Sequence, residues 1–82
     1  DTLGWIRVQL GDLESGLAHL REAVVRDTTV PEIRYHLAVA LEEYGNADAA
    51  RQQLRLALGM GKAFAERELA MQRLARLESP TP

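Results

Sequence analysis

An all-α fold of antiparallel helix pairs stacked in series is what these 82 residues predict, on three observations. Apolar residues recur with the period of a helix rather than alternating as in a strand. Leu and Ala dominate among them while aromatics make up only 5% of the chain, which favours helix over sheet. The chain also resembles itself at a step of 34 residues.

Shifted by 34, Leu3 falls on Leu37, Gly4 on Ala38, Gly11 on Gly45 and Asp12 on Asn46. Gly16 meets Ala50, Leu20 meets Leu54, Ala23 meets Ala57 and Val24 meets Leu58. Each match keeps size and polarity, with small residues meeting small ones. The repeated unit is a pair of helices.

The elements follow in order. Leu3, Ile6 and Leu10 share one face of a first helix, and Gly11-Asp12 breaks it. Leu13, Leu17, Leu20 and Val24 define a second helix over 13–26, followed by the connector Asp27-Thr28-Thr29-Val30. Thr29 and Glu32 have capping-box spacing, with Pro31 at a first-turn position. The third helix is expected over 31–44, with Ile33, Leu37, Ala40, Leu41 and Tyr44 inward, and Gly45 ends it in a left-handed conformation. Asn46 caps a fourth helix over 47–58, which Gly59-Met60-Gly61 stops. A fifth helix is expected over 63–77. It turns Ala70, Met71, Leu74 and Leu77 inward and Glu66, Arg67, Gln72, Arg73 and Arg76 outward.

Residues 1–30 are thus expected to form a partial repeat, 31–62 a full one, 63–78 a capping helix and 79–82 a frayed tail. The opening Asp1-Thr2-Leu3-Gly4-Trp5 already falls inside a patterned segment, so the chain is expected to be a piece of a longer protein. Gly4 with Ala38, and Gly16 with Ala50, are small where paired backbones approach. Leu at any of them should overpack the contact by about 1–3 kcal/mol.

Several function classes are disfavoured. There is no cysteine for a disulfide or thiolate site, and the net charge of −2 gives no reason to expect nucleic acid or an anionic membrane as partner. The longest apolar run, Leu37 to Leu41, is far too short to span a bilayer, and any targeting signal is expected to lie in the rest of the longer protein. His19 and His36 lie on separate helices without metal-site spacing, so neither metal nor cofactor is expected. Gly59-Met60-Gly61-Lys62 follows a helix, not a strand, and reads as a helix stop. Catalysis is not expected.

Leu3-Gly4, Gly11-Asp12, Gly16, Leu20 and Ala23, then Leu37-Ala38, Gly45-Asn46, Ala50, Leu54 and Ala57, resemble the tetratricopeptide repeat (TPR) over essentially the whole chain. More narrowly, Asp-Thr-Leu-Gly-Trp, Pro-Glu-Ile-Arg-Tyr-His-Leu-Ala-Val-Ala-Leu and Gly-Lys-x-Phe-x-Glu-Arg look like the last repeats of bacterial TPR lipoproteins of exopolysaccharide-export and PEP-CTERM/exosortase systems. That likeness implies a periplasmic or outer-membrane setting; without it a cytoplasmic one stands equally open.

The family resemblance implies a right-handed superhelix whose first helices line a concave groove, here formed by Trp5, Val8, Gln9, Glu32, Tyr35, Val39, Glu42 and Glu43. Glu66 and Leu69 would contribute from the last helix. It implies a scaffold that holds a peptide or helix of a protein partner, with Trp5 and Tyr35 as anchors. The Lys, Arg and Asn of a carboxylate clamp are absent from these positions, which favours an apolar or basic ligand. Trp5 can equally serve packing, and Glu42-Glu43 can equally be a solvated helix end. The other reading is a structural cap or a self-association segment, a homodimer formed through the amino-terminal helices.

Overall fold

The computed structural model describes residues 2–79, and every regular element among them is helical. The helices are α1 (Thr2–Gln9), α2 (Leu13–Arg26), α3 (Pro31–Tyr44), α4 (Ala47–Gly59) and α5 (Arg67–Glu78). Each packs chiefly on its neighbours along the chain. The body measures 34 × 28 × 18 Å, its short dimension being that of two layers of helices. One layer holds α1, α3 and α5, and the other holds α2 and α4.

The turns within the two helix pairs are built alike. Gly11 and Gly45 have φ of 89° and 100°, a left-handed conformation that costs a glycine nothing. The Gly45 N–H donates to the Glu42 carbonyl at 3.1 Å and the Asn46 N–H to the Leu41 carbonyl at 2.8 Å. Gly11 and Asp12 repeat that pattern onto Val8 and Arg7 at 3.0 and 2.9 Å. Asp12 and Asn46 then cap the next helix, their side-chain oxygens accepting from the Ser15 and Ala49 N–H groups at 3.3 and 3.2 Å.

The expected capping box at α3 does not form. Val30 is the N-cap, and the Thr29 N–H and hydroxyl both donate to the Asp27 carboxylate, at 3.0 and 2.6 Å. The aspartate two residues upstream competes successfully for the groups that would have closed the box.

Leu20 and Leu54 are wholly buried, and Leu17, Leu37, Leu41, Ala38, Ala50 and Ala70 fill the space around them. The expected inward face of α2 is therefore the observed one, with Leu13 and Val24 packed partly against the core. The expected face of α1 is not. Leu3, Ile6 and Leu10 are exposed, Leu10 at 78%, while Val8 is buried and Trp5 packs partly against the core. The reason lies in the repeat. Leu37 and Ala40, 34 residues after Leu3 and Ile6, are buried because α2 lies against α3. Among the described residues no helix takes that place against α1. Leu10 and its counterpart Tyr44 are both exposed at the ends of their helices.

The fifth helix starts at Arg67, later than expected. Residues 63–66 are drawn into other roles, since Phe64 packs on the core and Glu66 reaches His36. Met71 is consequently turned outward, while Ala70 is buried and Leu74 and Leu77 pack partly. Arg51 and Arg55 of α4 fasten this helix, reaching the Leu77 carbonyl at 3.3 Å and the Glu78 carboxylate. Of the expected tail, Ser79 donates its N–H to the Ala75 carbonyl at 3.0 Å, and 80–82 lie outside the described residues.

Candidate functional site

Stacking at a step of 34 lines up Trp5, Val39 and Arg73 across α1, α3 and α5, and beside them Val8, Glu42 and Arg76. The eight residues expected to line an open groove divide. Gln9 and Glu43 are exposed, and Trp5, Glu32 and Glu42 are half-buried. Val8, Tyr35 and Val39 belong to the core, at 5–6% exposure, which corrects their placement on an open surface. Val8 is covered by α2, where Gly16 lies against it, and neighbouring first helices also join through their side chains.

Two junctions do this. Between α1 and α3 the Trp5 indole stacks on the His36 imidazole, with centroids 4.2 Å apart and planes 11° from parallel. His36 in turn lies 5.8 Å from the Tyr35 ring, and its Nε2 is 3.4 Å from a Glu66 carboxylate oxygen. Between α3 and α5 the Glu42 carboxylate receives Arg73 on one oxygen and Arg76 on the other, the latter at 2.7 Å. Glu66, Arg73 and Arg76 are expected outward, Glu66 also as a groove contributor, and Glu42 on the groove or at a solvated helix end; all four join one element to another, Arg76 while remaining 62% exposed. The lone glutamate between two guanidiniums is a three-member network, with more to hold it together than an isolated surface pair has.

Burial and charge set the protonation of these groups. Desolvation holds His36 below its ordinary 6.5, against the opposing pull of Glu66. Burial works to raise the Glu42 carboxyl, but the hydrogen bonds from Arg76 and Arg73 prevail and hold it below its ordinary 4.5. In the unfolded chain His36 binds its proton more readily than in the fold. Its contribution to stability is therefore complete above pH 6.5 and is lost as pH falls from there through the lowered folded value. Below pH 4.5 the protonation of Glu42 takes away a second contribution. The urea midpoint should thus fall between pH 7.5 and pH 5. His36→Phe, which can keep the stack on Trp5, should flatten that first step, and an unchanged step in the variant would show that His36 is not its source.

The other layer carries a different feature. α2 and α4 flank an apolar groove of about 380 Å³ floored by Leu37 and Leu41 of α3, with Val24, Val25 and Arg21 on one wall and Ala49 and Gln53 on the other. The sequence offered one signal for it. Val25 is an aliphatic residue outside the Leu13/Leu17/Leu20/Val24 stripe, and it stands 79% exposed.

Among the described residues no three His, Cys, Asp or Glu are grouped so as to hold a metal ion, and no helix is long and apolar enough to cross a membrane. His19 is half-buried and shares a hydrogen bond of 2.9 Å between its Nδ1 and the Ser15 carbonyl. Compared with known proteins, residues 7–74 match the family model described as tetratricopeptide repeat. No curated protein and no solved structure matches the chain.

Proposed function

The chain belongs to the tetratricopeptide-repeat family, and from that premise we propose that its α1–α3–α5 layer recognises a basic segment of a protein partner. Such repeats generally mediate protein–protein interaction and typically form a scaffold without catalytic activity. The observation that carries the reading is the Trp5–His36 stack, half-open on Trp5 and accompanied by the carboxylates of Glu32 and Glu66. An aromatic face beside two acids suits a lysine or arginine side chain, held by cation–π attraction and a charged hydrogen bond. The exposed Gln9 and Glu43 extend the polar rim.

Trp5 is the chain's single tryptophan, so its fluorescence reports the site directly. A synthetic peptide with two arginines around a leucine should quench or shift it, and salt should weaken the binding. Glu32→Lys, at a half-buried position away from the core, should lower the affinity at least about tenfold. Equal binding by an acidic counterpart, or no effect of Glu32→Lys, would refute the proposal. Tyr35 and Val39 make poor probes, because changes there would disturb the core.

A second reading is favoured by the exposed Leu3, Ile6 and Leu10 on α1. An apolar row on that face supports self-association of this chain through its amino-terminal helices. Light scattering should then show a mass that rises with concentration, and Leu3→Gln with Ile6→Gln should restore the monomer; a constant monomer mass for the parent chain excludes it. The wording of the stretches around Trp5, 31–41 and 61–67 supports a place for the scaffold in bacterial polysaccharide export or protein sorting.

A further inference from the structure

The groove between α2 and α4 lies in the layer away from Trp5, and its chemistry differs from that of the proposed recognition face. Its surface is aliphatic, and none of its lining residues is acidic. Val25 projects beside it almost wholly exposed, and the small Ala49 on the facing wall leaves the space open.

The charges around it are unbalanced. Arg7, Arg26, Arg51, Arg55, Arg73 and Arg76 each have a carboxylate partner. Arg21, on the α2 wall, has none among the described residues. Arg34, one turn before Leu37 on α3, has only a neutral partner, its Nη1 donating to the Gln53 side-chain oxygen at 2.9 Å. Its Nε is buried with no acceptor. The Gln53 amide leaves the Arg34 guanidinium charge uncompensated, and a carboxylate at the Gln53 wall would pair with that charge better than a neutral amide does.

We propose that this groove docks an acidic amphipathic helix of a partner protein, with aliphatic residues against Val24, Val25 and Leu41 and carboxylates toward Arg21 and Arg34. A groove between two helices floored by a third admits a further helix by the packing that holds the chain itself together. The cations at its edge select the sign of the partner's charge. This surface is independent of the α1–α3–α5 reading, and the two call for partners of opposite charge.

The test uses the whole chain, isotopically labelled, and two synthetic helical peptides. Both carry leucines at i, i+3 and i+7, flanked by glutamates in one and lysines in the other. The glutamate peptide should shift the backbone amide signals of Arg21, Val25, Leu37 and Gln53, and the lysine peptide should bind there at least about tenfold more weakly. Val25→Glu and Arg21→Glu, both at exposed positions, should each weaken the glutamate peptide at least about tenfold while leaving the circular dichroism spectrum unchanged. Glu32→Lys should have no effect. Absence of shifts, equal binding of the two peptides, or shifts gathered around Trp5 and His36 would overturn the proposal. Concentration-dependent shifts at Val25 without any peptide would overturn it in favour of a second copy of the chain.

Discussion

Leu54→Ala should lower the unfolding free energy by about 3–5 kcal/mol, whereas Leu56→Ala, two residues along the same helix, should cost less than about 1 kcal/mol. Leu54 has no exposed surface and belongs to the core cluster that also holds Leu37, Leu41, Ala50 and Ala70. Removing its side chain forfeits the transfer energy and leaves a cavity whose walls are other helices, fixed by their own packing. Leu56 is 49% exposed and loses far less. A domain of this size has of order 4–12 kcal/mol in total, so the Leu54 variant gives up a large share of it. The loss should spread, because each helix pair in such an array is stabilised by its neighbours. Urea unfolding of both variants, followed by circular dichroism, measures the difference. Similar midpoints for the two would mean that α4 does not present Leu54 to α3 and α5.

The contrast between these two leucines was legible in the sequence, and so was most of the architecture. On α2 and α4 the small and leucine positions that recur at the 34-residue step, Gly16/Ala50 and Leu20/Leu54, mark the inner face, although Val25 and Leu56 are apolar outside it. α1 does not submit to that reasoning. Leu3, Trp5, Ile6, Val8 and Leu10 are apolar on several sides of it, and the face that is buried depends on which neighbour is present. α2 takes the side with Gly4 and Val8, so Leu3 and Ile6 are left outside. The site was legible in residue names but not in state. The 34-residue step brings Trp5, Val39 and Arg73 into line, yet nothing in the local pattern shows that Glu42 meets an arginine 31 residues away or that Trp5 lies flat on His36. Such pairings are decided by long side chains reaching between helices, which periodicity does not constrain. The unpaired Arg21 and Arg34 were hidden for the same reason, since a missing carboxylate partner appears only once every other pair is placed.

At the crossing of α1 and α2 the expected change is also large: Gly16→Leu should destabilise the chain by about 3 kcal/mol and Gly16→Ala by about 1–2 kcal/mol. Two effects oppose each other in the alanine variant. Replacing glycine within a helix gains up to about 1 kcal/mol of propensity. Against that, a Cβ at Gly16 would lie 2.5 Å from the Val8 Cγ2, 3.0 Å from the Gly4 carbonyl oxygen and 3.1 Å from the Val8 nitrogen. Valine is stiff about χ1 in a helix, and the other two atoms are backbone, so none of the three yields cheaply. Steric cost therefore outweighs propensity. Gly59→Ala supplies the control, for a Cβ there meets nothing within 4 Å, and it should stabilise by a few tenths of a kcal/mol. The corresponding residue of the second pair is Ala50, where a methyl group is accommodated, and Val8 is replaced there by Glu42, whose side chain reaches out to Arg73 and Arg76. That comparison makes the Val8 methyl the principal obstacle. Val8→Ala alone should be destabilising, but combined with Gly16→Ala it should cost less than the sum of the two, by at least about 1 kcal/mol in a double-mutant cycle. Strict additivity would instead place the obstacle in the backbone contacts with the Gly4 carbonyl and the Val8 nitrogen, and glycine would then be required at position 16 whatever side chain stands at position 8.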